Sequence, residues 1–219
     1  MRKSEIQIVW FKRDLRTTDH KPLFEASKNL IPILPIYVIE NEYWEQPFSN
    51  KRHWHFIHDS LIELRKDLKN LGQSLIIRTG SVIDIFNELS TQFDITSIYA
   101  HEETGNQWTY DRDLNVKNWC NEKNISLIEY PTNGIVRNLK NRDDWAKIRN
   151  LRMKENLIMI LKCYSNYFVA IRVQFGTELG PWVHGPWTHV LLLIYSSVLA
   201  ANSMPSIASM PAMTAPRTE

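Results

Sequence analysis

Ile6-Gln-Ile-Val-Trp-Phe11, running into Lys12-Arg-Asp-Leu-Arg16-Thr-Thr-Asp19, is the stretch on which the fold turns. Six apolar or β-prone residues are too few for a helix and stop at a charge cluster, so they read as a buried strand. Residues 12–16 then place three cations and one carboxylate at the carboxyl end of that strand. In an open α/β sheet this is where ligands sit. From this stretch alone, an ordinary charged surface loop is the default reading.

Working outward, strand and helix signals alternate. Asp19 can cap a helix over about Lys21 to Asn29, with Pro22 suited to its first turn. Leu30 to Ile39 is a second buried strand, and Glu40 to Pro47 a polar, aromatic loop. Ser49 precedes a long helix in which Trp54, Ile57, Leu61, Leu64, Leu68 and Leu71 recur at three- and four-residue spacing, with Gly72 as its stop. Ser74–Thr79 is a third strand, and Ser81 caps a helix carrying Ile85, Phe86 and Leu89. Ser97–Ala100 is a fourth strand, Gln107 to Lys123 a helix, and Ile125–Tyr130 a fifth strand ended by Pro131. Right-handed crossovers return each strand parallel to the last. The expected fold class is therefore α/β: a five-stranded parallel, Rossmann-like sheet with helices on both faces, followed by an irregular or partly helical C-terminal tail.

Charge marks the end of this pattern. The chain has 219 residues, 43% hydrophobic and 23% charged, as soluble globular proteins do. Residues 1–153 hold 22 Lys+Arg and 21 Asp+Glu, whereas residues 154–219 hold 4 and 3. Three regions are expected: an α/β domain over 1–132, a basic connector over 133–155, and an atypical tail over 156–219. A net charge of +2 gives no global field for nucleic acid. Cys120 and Cys163 form neither a metal spacing nor a disulfide framework, which favours a reducing, cytoplasmic setting. The basic N-terminus leads into a short strand rather than a signal-peptide core. No stretch reaches the ~18 apolar residues of a membrane helix, so no membrane partner is expected.

The candidate chemistry lies at the strand ends. A 3-2-1-4-5 strand order sets Lys12–Asp19 beside His101–Gly105 across one crevice, while a flavodoxin-like order brings in Arg78–Ser81 instead. Both orders remain open at this stage. The first loop has no glycine, which excludes a dinucleotide fingerprint or a phosphate loop there. Thr79-Gly-Ser81 reads as a tight turn. His53, His55 and His58 lie on a helix without completing carboxylates or thiols, so they read as a solvated face and no metal is expected. Of Glu102 and Glu103, one should point into the crevice and the other away. Asp111, Arg112 and Asp113 read as surface i,i+4 partners. Residues 137–154 carry seven cations around Trp145, fitting a phosphate-facing arm or a solvated interdomain helix. No Ser/His/Asp or Cys/His arrangement occurs, and no catalytic residue is expected.

Several of these segments resemble one family. Val9-Trp-Phe-Lys-Arg-Asp-Leu-Arg16-Thr-Thr-Asp19-His20 resembles the opening signature of the DNA photolyase/cryptochrome family. Pro35–Ile39 resembles its second strand, and Lys51–Leu61 its next helix. His101-Glu-Glu-Thr-Gly105 and Tyr110-Asp-Arg-Asp113 resemble the loop and helix after its fourth strand. Asn133–Arg137 and Arg142–Met153 resemble the start of its connector. These matches fall in order over about residues 6–153.

The resemblance implies an N-terminal domain that holds an antenna chromophore (a folate, a deazaflavin or a flavin). In the family this passes light energy to a catalytic FAD used in blue-light-driven repair of pyrimidine dimers in DNA. Positions matching such an antenna site are Arg13, Asp14, Val38, Ile39, Arg52 and Glu103. Arg16 and Asp19 match positions read as structural, an Arg–Asp pair that pins the loop and caps the helix. Residues from Asn156 onward do not resemble the helical domain that holds FAD and DNA in the family. The expectation is therefore a truncated member whose tail is out-of-frame, unrelated or disordered. It would bind a chromophore, without tight FAD or DNA binding. The alternatives are a non-enzymatic nucleotide- or flavin-binding α/β module and a nonfunctional gene fragment.

Overall fold

A computed structural model describes residues 3–132, 134–137, 139 and 141–158 of the chain. Eleven elements follow in order among these residues. They are β1 Ser4–Phe11, α1 Lys21–Ser27, β2 Ile33–Ile39, α2 Asn41–Trp44, α3 Lys51–Asn70 and β3 Ile76–Thr79, then α4 Val82–Gln92, β4 Phe93–His101, α5 Gln107–Lys123, β5 Ser126–Tyr130 and α6 Trp145–Arg152. The expected tail lies, from residue 159, outside the described residues.

All five strands are parallel, in the order β3-β2-β1-β4-β5. This settles the choice left open by the sequence in favour of the Rossmann-half order. β1 lies in the middle because it is apolar on both pleats; residues 6–11 are all buried. Its alternate side chains meet different layers. Gln7 and Phe11 face α1, with the Gln7 amide donating to Ala26 O and Ile31 O and the Phe11 ring against His20. Trp10 faces the other way, edge-on to Phe86 of α4 at 5.7 Å, and Phe86 packs on Trp119 of α5. Helices thus cover both faces, as a parallel sheet requires.

Element limits differ from expectation where pairing overrides local signals. β4 begins at Phe93 rather than Ser97, since α4 runs directly into it and Ser4–Ile6 of β1 supply partners, with a register shift between Ile6 and Gln7. β2 begins at Ile33, and Leu30 is 81% exposed. Pro35 is tolerated in a buried strand because β3 pairs with β2 only from Ile36 onward.

The start of α1 corrects the expected cap. Asp19 has φ +50° and does not cap the helix; His20 does, its Nδ1 accepting from Leu23 N at 3.1 Å. The Asp19 carboxylate instead accepts from Ile158 N, while Asp19 N donates to Ile158 O. Arg16 binds the carbonyls of Thr18 and Asp19 rather than the carboxylate, so the expected ion pair does not form. In α3 the cap is Asn50, whose Oδ1 accepts from Arg52 N, and Gly72 at φ +83° ends the helix region. Among the described residues no helix is long and apolar enough to cross a membrane.

Candidate functional site

The strand order places the loops after β1 and β4 side by side, and a cleft opens there. It is lined by Trp10, Phe11, Lys12 and Arg13 from β1 and its loop, and by Tyr37, Val38 and Glu40 at the end of β2. Tyr43, Trp44 and Ile57 close one side, Glu103 and Arg112 the other. Some 410 Å³ of empty space lies inside, part of it open to solvent. The enclosed part is only about 40 Å³, so the cleft is a shallow, open one.

One wall is aromatic. Tyr43 stands edge-on to Trp44 at 5.2 Å, Phe48 at 5.4 Å and Trp108 at 5.5 Å, and Trp44 is edge-on to Trp54 at 5.2 Å. These contacts fix the two rings, Tyr43 and Trp44, that line the cleft. Burial raises the hydroxyl pKa of both Tyr37 and Tyr43, which keeps them protonated at neutral pH.

The other wall is ionic. Arg112 lies over the Trp10 ring at 5.0 Å and donates to Glu40 at 2.7 Å, Glu103 at 2.5 Å and Asp113 at 2.9 Å. Lys12, also over Trp10, pairs with Asp113 at 2.9 Å and lies 3.6 Å from Glu129. Burial works against the Arg112 charge, but Glu40, Asp113 and Glu103 outweigh it and raise its pKa. Asp113 is likewise opposed by burial yet lowered by Lys12 and Arg112. Glu40 is the exception. Burial outweighs its bond to Arg112 and pushes it up to about 7. The cleft therefore holds a carboxyl group that can donate or accept near neutral pH.

Of the six residues singled out in the sequence, Arg13, Val38 and Glu103 line this cleft. Arg13 is the accessible cation, its side chain 66% exposed and its Nε 3.9 Å from Glu103. Gly105 permits this packing, since a Cβ there would stand 3.2 Å from Arg13 Nη1 and 3.0 Å from Thr109 Oγ1. Glu103 turns in and Glu102 does not join the lining, matching the alternation expected of the pair. Ile39 is buried in β2 away from the lining, and Arg52 is exposed in the first turn of α3.

Asp14 corrects the sequence reading most clearly, because it turns inward rather than toward the cleft. Its Oδ1 accepts from Lys12 N at 2.8 Å. Its Oδ2 meets His101 Nδ1 at 2.5 Å and lies 2.7 Å from His20 Nε2. His20 Nδ1 is already accepting from Leu23 N, so in the neutral ring the proton sits on Nε2, close to Asp14 but not aligned for a hydrogen bond with it. Burial alone would raise the Asp14 pKa, but the His101 hydrogen bond and the nearby His20 hold it well below the usual range; burial lowers that of His101. The three ligand-type atoms lie within 4.8 Å of one another. Ligands of a tetrahedral zinc stand about 3.3 Å apart, so the observed spacing is that of hydrogen bonds.

Arg112 and Asp113 are not the surface partners expected. Asp113 shares the buried stripe of α5 with Thr109, Val116, Trp119 and Cys120. That a carboxylate falls on the apolar stripe was the available signal. Glu40 could have been found by the rule that selected Arg13, since it directly follows a strand's carboxyl end. His53 and His55 are exposed, as a solvated face requires; the chain bends at Gly80, φ +139°, and Ser81 stands at the N-cap of α4 without the expected side-chain capping bond.

Residues 7–144 match the DNA photolyase family profile. A chloroplastic/mitochondrial cryptochrome DASH of Arabidopsis thaliana is 30% identical over 105 residues, 45% of this chain and 18% of that protein. A deoxyribodipyrimidine photo-lyase of Agrobacterium fabrum is 31% identical over 85 residues, 39% of this chain and 17% of that protein. The chain thus spans under a fifth of the length of these relatives. Among solved structures, an archaeal photolyase from Sulfolobus tokodaii, described with two FAD molecules, superposes with a TM-score of 0.57 at 20% identity, covering 70% of this chain and 36% of that one.

Proposed function

The chain belongs to the DNA photolyase family, and from that premise we propose that its cleft binds a light-harvesting antenna chromophore. The observation that carries this reading is one cleft lined by edge-on aromatic rings on one side and, on the other, by Glu40 and Glu103 paired with Arg112 and an accessible Arg13. Such a site suits a planar heteroaromatic ring bearing an anionic tail. Tyr43 and Trp44 would flank the ring. Glu40 and Arg112 would meet its polar edge, with Arg13 at the mouth drawing the tail. The bound group would supply absorption of near-ultraviolet or blue light. The residues bind it, orient it and exclude water.

A flavin, a deazaflavin and a folate all have this chemistry. The two FAD molecules named for the Sulfolobus tokodaii photolyase support a flavin as the first to test. Titration of the full chain with FMN, FAD, an 8-hydroxy-5-deazaflavin and a methenyl folate, followed by tryptophan fluorescence and visible absorbance, tests the reading. Saturable quenching by at least one is expected. No binding by any of the four would sink it, and tight ATP or AMP binding instead would favour a plain nucleotide module.

For the whole family protein, the activity proposed is light-driven repair of pyrimidine dimers in DNA, with FAD as the catalytic cofactor. No residue of this chain is proposed as catalytic for that step.

A further inference from the structure

We infer that Arg137 is a positioning residue that holds the Glu103 wall of the cleft from behind and ties its shape to the connector. The effect on ligand affinity rests on the ligand reading above; the positioning itself does not.

Arg137 lies outside the cleft, yet its single guanidinium joins three elements beside it. Nε and Nη2 both donate to the backbone carbonyl of Glu103, at 2.9 and 2.5 Å. Nη2 also reaches Asp113 of α5 at 2.8 Å. Nη1 meets the Glu129 carboxylate of β5 at 3.2 and 3.3 Å. Burial opposes the charge, but Asp113 and Glu129 raise its pKa. The planar fork serves three directions at once, which a lysine cannot do. Glu103 is thereby clamped at its carbonyl while its carboxylate faces the cleft and holds Arg112.

The other end of the clamp is the connector helix. Arg152 of α6 donates to Ile135 O at 2.6 Å. A Cβ on Gly134 would stand only 2.7 Å from Arg149 Cγ, so α6 packs directly on the segment that carries Arg137. A shift of α6 is therefore passed through residues 134–137 to the Glu103 carbonyl and into the cleft. The contiguous contacts supply the physical route, and their energetic coupling is what needs measuring.

The test uses the full chain with Arg137→Gln, Arg137→Lys and, as a control, the exposed Arg142→Gln. Hydrogen exchange is read at residues 102–106 and compared with β3 and α4, and FMN affinity is read in parallel. Arg137→Gln should speed exchange at 102–106 and weaken FMN by about three- to thirtyfold, while β3 and α4 keep their protection. Arg137→Lys should recover only part of both effects, and Arg142→Gln should change neither. Unchanged exchange at 102–106, or equal acceleration throughout the domain, would overturn the inference. If the wild-type chain binds no FMN, the ligand reading loses that arm, and exchange alone still decides the role of Arg137. Should Arg137→Gln fail to fold, Gly134→Ala replaces it. That change touches no cleft residue, so faster exchange at 102–106 supports the route and unchanged exchange refutes it.

Discussion

Lys12, Arg13 and Asp14 are consecutive, yet they serve two different kinds of site. Asp14 enters a closed hub, where one carboxylate accepts from Lys12 N, meets His101 and lies beside His20 with almost no solvent access. Lys12 and Arg13 enter an ionic wall that opens on a cleft and whose carboxylates share cations. A closed hub has only the fold to stabilise. An open wall keeps a cation at its mouth and a carboxyl group balanced near neutrality, which are the properties a ligand can use. Burial and degree of satisfaction thus separate structural from functional charge better than residue type does.

That contrast can be broken or sharpened by substitution, taken in order of effect on stability. Asp14→Ala leaves the buried His101 imidazole and the Lys12 amide without their acceptor and removes the carboxylate beside His20, and should cost about 3–5 kcal/mol in urea unfolding at pH 7. A loss below about 1 kcal/mol would show that the hub is not what holds the loop. Arg112→Met should cost less, about 1.5–3 kcal/mol. The difference arises because Glu40, already pushed up to about 7, can take a proton and relieve the carboxylates left without their cation. Equal or larger loss than for Asp14→Ala would erase the distinction between hub and wall.

Glu40 gives the pH signature. Its folded pKa lies above the ordinary value of 4.5, so the stability it contributes is full below that value and is lost as pH rises through about 7. The stability of the wild type minus that of Glu40→Gln should therefore fall by about 1–2 kcal/mol between pH 4.5 and 7.5, allowing for solvent at the cleft mouth. His101 and Asp14, whose pKa values are lowered, cancel in that difference. A flat difference would remove Glu40 from the titrating set. Arg13→Ala should have the smallest effect on stability, within about 0.5 kcal/mol, because its side chain is 66% exposed. Its consequence should appear in chromophore affinity, a loss of about 1.5–3 kcal/mol for an anionic ligand. Unchanged affinity would take Arg13 out of the site.

Local chemistry made much of the fold legible. α5 was placed at its observed limits, Gln107–Lys123, and the structure closes it with an Asn106 cap and with Asn124 in the left-handed region. Strand order was not readable, since pairing of β1 with β4 joins residues some ninety positions apart and no local pattern encodes which neighbour is chosen. Within the site, the rule about strand carboxyl ends found Arg13 and Glu103. The i,i+4 rule misplaced Arg112 and Asp113, because charge spacing along a helix does not say which face turns toward a crevice. His20 was overlooked as a cap because a ring nitrogen does there what Ser, Asp or Asn usually does. Arg137 reaches the cleft wall through a fold in the connector that sequence spacing does not reveal.

The strand order also sets a schedule for synthesis. β1 is made first and lies at the centre of the sheet, but only its β2 edge can be filled early; the other waits for β4, complete at His101. At about 5–20 residues added per second, some 5–20 s pass in which Ile8 and Trp10 border an unpaired backbone edge. During that interval the centre of the finished sheet is the stickiest part of the nascent chain, and a chaperone holding it would be released as Phe93–His101 docks.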